Sequence, residues 1–185
     1  GLNKISNERI FEELKKILKL ENIYNLFLRD FTKEIILNIF PQFKYYKRLK
    51  IYNNLNQRLK EKYDIFLILG LFILDESSDY EYFCHKYKTS NDIKKRFKNI
   101  SKNIENIKNK KFYSEENIKK EIYLSSKKNV IDALLFSICV NKREKIADIE
   151  KLISYVNLCK IPKFPISGNY LKEYGYESGQ ELGKK

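Results

Sequence analysis

Apolar residues recur along this chain at spacings of three and four, and hardly anywhere at a spacing of two. Ile10, Leu14 and Ile17 repeat in this way behind Ser6, a residue suited to cap a helix start, with Glu8 near the positive helix end. The same reading predicts a second helix over 32–40, stopped by Pro41. A third is predicted through Tyr45, Leu49, Tyr52, Leu55 and Leu59, and a fourth over 63–74. That fourth segment holds the run IFLILGLFIL, which reads as a helix buried on all sides and is about half as long as a bilayer span requires. After the polar turn DESSD comes a short helix near 80–87. The clearest stripe follows, in which Ile93, Phe97, Ile100, Ile104 and Ile107 alternate by four and three over four turns. Ser114 with Glu115 and Glu116 heads a further helix, and apolar segments at 130–140 and 145–158 complete the set. With no stretch of period two, the expected fold class is all-α. From Pro162 the chain changes to PKFPISGNYLKEYGYESGQELGKK, whose glycines predict short helices joined by tight turns.

Charge adds what periodicity cannot. The chain of 185 residues is 43% hydrophobic, enough for a packed core, and carries 37 Lys and Arg against 24 Asp and Glu, a formal +13. Such an excess points to a polyanion, either nucleic acid or an anionic membrane surface. Lys, Ile, Asn and Tyr are all abundant together, as in proteins of AT-rich genomes, so part of the excess is compositional and its placement has to decide. The placement is uneven. The first forty residues are nearly neutral, whereas 86–111 hold ten basic residues against Asp92 and Glu105. Lys95, Lys98 and Lys102 fall on the helix face opposite the Ile93 stripe, within about 60° of one another. Lys86 and Lys88 precede them, and a second cluster includes Lys44, Lys47, Arg48, Lys50, Arg58, Lys60 and Lys62. Like charges three and four apart repel by roughly 0.2–0.5 kcal/mol per pair, a cost that an anionic partner turns into a gain. The competing reading is a solvated lysine face. A membrane role fits least, because the face opposite the lysines is needed for the core. Tyr45, Tyr46, Tyr52 and Tyr87 lie among the bases as candidates for stacking on nucleotides, or else as core residues with a wet hydroxyl.

Catalytic and metal-binding signatures are missing. The sequence has no Asp-x-Asp pair, no glycine-rich phosphate loop, and a single histidine, His85, for any Ser/His/Asp set. Cys84, Cys139 and Cys159 form no CxxC and read as reduced, buried thiols of a cytoplasmic protein rather than as disulfides or zinc ligands. No catalytic residue, metal ligand or cofactor is therefore expected in this chain. The chain has no methionine and ends in LGKK without a helix stop, so both ends read as cuts in a longer polypeptide.

Two segments carry a family resemblance. KISNERIFEELKKIL, at 4–18, resembles the neck motif of the class II tRNA nucleotidyltransferases and the related bacterial poly(A) polymerases, with Ser6, Glu8-Arg9-Ile10 and Glu13-Leu14 at the motif positions. The tail resembles their C-terminal signature through Phe164-Pro165-Ile166-Ser167-Gly168, Leu171, Gly175, Gly179 and Leu182-Gly183. YKTSNDIKKRF, between them, is more weakly similar to a basic Ser-Asn segment of that family. The two main segments cover about a fifth of the chain and stand in the family's order.

The resemblance implies an enzyme that adds CCA to tRNA 3′ ends, of which this chain is the RNA-binding neck, body and tail. The expected division is a helical neck remainder at 1–40, a basic body at 41–160 and a tail at 161–185. Glu8, Arg9 and Glu13 would buttress the nucleotide-selecting helix. Lys47, Lys50, Lys86, Lys88, Lys95, Lys98 and Lys102 are the candidate RNA contacts. The tail motif residues are Phe164, Pro165, Gly168, Gly175, Gly179 and Gly183, of which the glycines would turn the chain. The partners are then tRNA and a catalytic head of the same polypeptide, with Mg2+, CTP and ATP expected at that head, since the family's Glu-Asp-x-x-Arg segment and Asp pair are missing here. A polyadenylating relative shares both motifs, and a helical protein-interaction scaffold with no RNA role is the reading from a different class.

Overall fold

A computed structural model describes residues 5–141 and 143–160; Lys142 and the tail motif residues lie outside them. Among the described residues the protein is built from ten α-helices and three 3-10 turns with no strand, so it is all-α. Helix α1 (Asn7–Ile17) starts where Ser6 Oγ accepts the amide of Arg9 at 3.4 Å. A 3-10 turn, Ile23–Phe27, leads to α2 (Asp30–Ile39), which ends ahead of Pro41. That helix has no fully buried residue. Its Ile36, Leu37 and Ile39 are half-buried against the core, while Phe31 and Ile35 face outward, as does Leu28 just before it.

The predicted third helix is not one rod. A 3-10 turn (Tyr46–Arg48) runs into α3 (Leu49–Asn53), and α4 (Gln57–Lys60) starts afresh with Asn56 Oδ1 accepting the Leu59 amide at 2.9 Å. Asparagine side chains compete for backbone hydrogen bonds and favour caps over helix interiors. The apolar stripe nevertheless holds, since Leu49, Tyr52, Leu55 and Leu59 are all buried.

Helix α5 (Ile65–Ile73) begins two residues later than expected, because Asp64 Oδ1 takes the amides of Phe66 and Leu67. Its residues from Leu67 to Ile73 are all buried. At Gly70 an added Cβ would lie 3.0 Å from Leu74 Cδ1 and 3.9 Å from Phe97 Cε1, so the missing side chain lets neighbours close on the helix. Helices α6 (Tyr80–Lys86) and α7 (Asn91–Ile107) follow, the latter capped by Ser90. A 3-10 turn, Lys110–Tyr113, leads to α8 (Glu115–Leu124) behind Ser114. Helices α9 (Lys127–Val140) and α10 (Ile146–Leu158) close the described chain. The central helix is α9, which packs on α3, α5, α7, α8 and α10. Phe11 of α1 meets Phe83 and Tyr87, and Phe43 stacks on Phe72 at 4.2 Å, so one buried cluster runs from Phe11 to Val156. No helix among the described residues is long and apolar enough to cross a membrane.

Candidate nucleic-acid interface

Helix α7 carries the predicted division of faces. Phe97, Ile100, Ile104 and Ile107 are buried and Ile93 is half-buried, while Lys95, Lys98 and Lys102 are exposed. Many other bases of the region are already engaged. Lys94 reaches Glu81 at 3.6 Å, Lys108 pairs with Glu76, and Lys44 lies 2.7 Å from Asp79. The acidic segment 75–81 thus neutralises the flanks of the basic region. Among the described residues Lys95, Lys98 and Lys102 have no carboxylate partner, and neither do the exposed Lys47 and Lys50 beside α3.

The structure brings two other groups of candidates together. Lys88 sits in the left-handed region at φ 48°, two residues past the end of α6. Its amide returns to His85 O and that of Thr89 to Cys84 O, the hydrogen-bond pattern that closes a helix C-terminus. Its Nζ pairs with Glu8, and that bond holds the Glu8 carboxyl below the usual carboxylate range. This pins the start of α1 to the turn before α7. Glu13 pairs instead with Lys16 at 2.7 Å, and Arg9 is exposed. Lys86 is half-buried, with its Nζ 5.2 Å from the centre of the Tyr87 ring.

Arg48 is a correction to the predicted basic cluster. It is half-buried, donates to Leu74 O at 2.6 Å and lies 4.0 Å over the Tyr45 ring, so it caps the end of α5 rather than facing solvent. Of the two readings of the tyrosines, the structure takes the core one. Tyr52 and Tyr87 are only 7% and 1% exposed, Tyr46 stacks on Phe27, and Tyr45 donates to Asp75 at 2.7 Å beneath Arg48.

One network escaped the sequence reading. Arg96 donates through Nε and Nη2 to the two carboxylate oxygens of Asp132 at 2.7 and 2.8 Å, and through Nη1 to Asp64 at 2.5 Å. Burial alone would lower the Arg96 pKa, but the bonds to Asp132 and Asp64 outweigh it and raise it. Burial would likewise raise Asp64, yet the Arg96 guanidinium and the amides of Leu67 and Phe66 hold it below the usual range. The triad ties α5, α7 and α9 together. Its signal in the sequence is Asp132 itself, a lone acid inside VIDALLF, since a carboxylate in such a run requires a buried partner. Among the described residues no three His, Cys, Asp or Glu side chains converge to hold a metal ion.

Residues 1–47, about a quarter of the chain, match a family model described as "Probable RNA and SrmB- binding site of polymerase A". The match spans α1, the first 3-10 turn and α2, and ends within the turn before α3. No curated protein matches the chain. The matched segment is similar to an RNA-binding region of a polymerase, and that similarity supports an RNA partner. The lysine stripe of α7 lies outside the match.

Proposed function

We propose that this chain is the RNA-holding helical part of a template-independent nucleotidyltransferase, and that it positions tRNA for CCA addition by a catalytic head in the same polypeptide. The observation that carries the proposal is the uncompensated stripe Lys95, Lys98 and Lys102, set on a helix whose opposite face is locked into the core. Ammonium groups on a rigid rod meet successive phosphates without reading base sequence, which suits recognition of a folded RNA by shape. Lys47 and Lys50 add exposed charge beside α3. The residues of the chain contribute binding and orientation. Mg2+, CTP and ATP would belong to the head, which would supply the phosphoryl-transfer chemistry. Within this reading the Glu8–Lys88 pair links the start of α1 to the turn before the lysine-bearing helix.

The test is a salt titration of deacylated tRNA binding, with unstructured RNA of equal length as competitor. Neutralising about six phosphates makes affinity fall on the order of a thousandfold between 50 and 200 mM salt. Preference for tRNA supports the proposal. No binding at low salt would overturn it and leave the scaffold reading. The description of the matched model names polymerase A, which favours a polyadenylating parent as the second reading. Incorporation by the parent polypeptide with CTP or ATP alone separates the two, because a poly(A) polymerase extends RNA with ATP only.

A further inference from the structure

Where the N-terminal halves of α5, α7 and α9 meet, the surface opens into a cleft of about 600 Å³, roughly twice the volume of the others described. The size falls within the range of small-ligand sites. Its apolar wall is Phe66 and Ile93. Phe66 is left half-open on a helix that otherwise buries every residue from Leu67 to Ile73. Asn99 and Asn129 supply half-buried amides. Among the described residues their side chains make no hydrogen bond, Asn99 accepting only through its carbonyl and Asn129 donating only through its backbone amide. Lys95 and Lys128 stand exposed around the opening. The Arg96–Asp132–Asp64 network fixes the geometry, since α7 and α9 contribute one member each and the third, Asp64, caps the start of α5. Asp64 is occupied by that network, and Asp92, in the first turn of α7, is the acid left to repel a phosphate.

A half-buried aromatic ring, two side-chain amides and two exposed cations without a carboxylate partner are the kinds of group by which proteins hold an unpaired nucleotide. The ring takes the base by stacking, the amides meet its hydrogen-bonding edge, and the cations take the flanking phosphates. We infer that this cleft binds one unpaired nucleotide of an RNA strand, with the base against Phe66, its edge toward Asn99 and Asn129, and its phosphates on Lys95 and Lys128. The inference rests on the proposed RNA-holding role and deepens it. The stripe grips double-stranded backbone, and the cleft adds a preference for RNA in which a duplex passes into single strand.

The experiment compares the full 185-residue chain binding a blunt RNA hairpin and the same hairpin with a short single-stranded 3′ extension, at one salt concentration. The extension should tighten binding roughly five- to a hundredfold, the range of a single stacked base. Asn129→Ala and Phe66→Leu should each reduce that preference severalfold while leaving affinity for the blunt hairpin unchanged. Helical circular dichroism and melting of both variants confirm that they fold. Asn129→Ala, at a half-buried helix position, keeps the test valid should Phe66→Leu disturb α5. Equal affinity of the wild type for the two hairpins would overturn the cleft assignment alone, as would a preference that survives both substitutions. Failure of the wild type to bind either hairpin at low salt would remove the RNA-holding reading along with it.

Discussion

At the scale of single residues, the Arg96–Asp132 pair is the most consequential contact in the molecule. Both side chains are largely out of solvent, at 13% and 6% exposure. Breaking a buried ion pair from one side strands the other charge, which costs several kcal/mol. Asp132→Ala should therefore destabilise the protein by about 3 kcal/mol, near the low end of that range because Asp64 still holds Arg96. Urea denaturation measures this, and a loss under about 1 kcal/mol would mean that water already solvates the guanidinium. The pH dependence has a definite sign. Asp64 is more acidic folded than unfolded, so its contribution is present above the ordinary aspartate pKa of about 3.9 and fades as pH falls through its lower folded value. The thiols give a second prediction. Burial pushes Cys139 up to about 12 and raises Cys84, whereas Cys159 is half-buried at the end of α10. Ellman's reagent at pH 8 should modify Cys159 first and the other two only on denaturation. Fast reaction of all three would show that the core opens readily. The sequence marked the thiols as reduced and buried, correctly for two of the three. It did not reveal the Arg96 triad, because the partners are 32 and 36 positions apart and no local period links them.

At the scale of elements, periodicity located the helices and neighbouring polar residues decided their ends. The stripe of α7 was legible because one long amphipathic rod needs no information from elsewhere. The break between α3 and α4 was not, because Leu49 to Leu59 keeps helical spacing across Asn54 and Asn56, and the asparagines override it locally. The charged face of α7 yields a substitution whose two effects oppose each other. Lys98→Glu turns like-charge pairs with Lys95 and Lys102 into opposite-charge pairs, which should stabilise the helix by about 0.5–1 kcal/mol. That corresponds to a melting temperature higher by roughly 1–4 °C for a protein of this size. The same change should weaken tRNA binding about tenfold or more, since it removes a phosphate contact and adds a repulsion. Thermal melting and a binding isotherm on one sample check both signs. A variant that melts higher and binds equally well would place the RNA elsewhere.

At the scale of the whole molecule, the count of 37 Lys and Arg overstates the cations free for a partner, because carboxylates of the segment 75–81 pair with Lys44, Lys94 and Lys108 of the basic region around it. The all-α class and the existence of a basic face could be read from sequence, but not which lysines are neutralised, since those partners come together only in the folded chain. Replacing Lys95, Lys98 and Lys102 by Ala should lower the slope of log affinity against log salt by about 3, one unit for each lost contact. An unchanged slope would assign the three lysines to solvent. Stability is also spread unevenly over the molecule. Helix α2 lacks a fully buried residue, whereas α9 buries nine. Amide hydrogens of α2 should therefore exchange through local opening, far below the protection of α5 and α9, which open only with the whole fold. Deuterium uptake by mass spectrometry resolves the difference. An element so lightly held can shift or reseat at small energetic cost while the core beneath it stays closed, and it lies within the segment that resembles a polymerase's RNA-binding region.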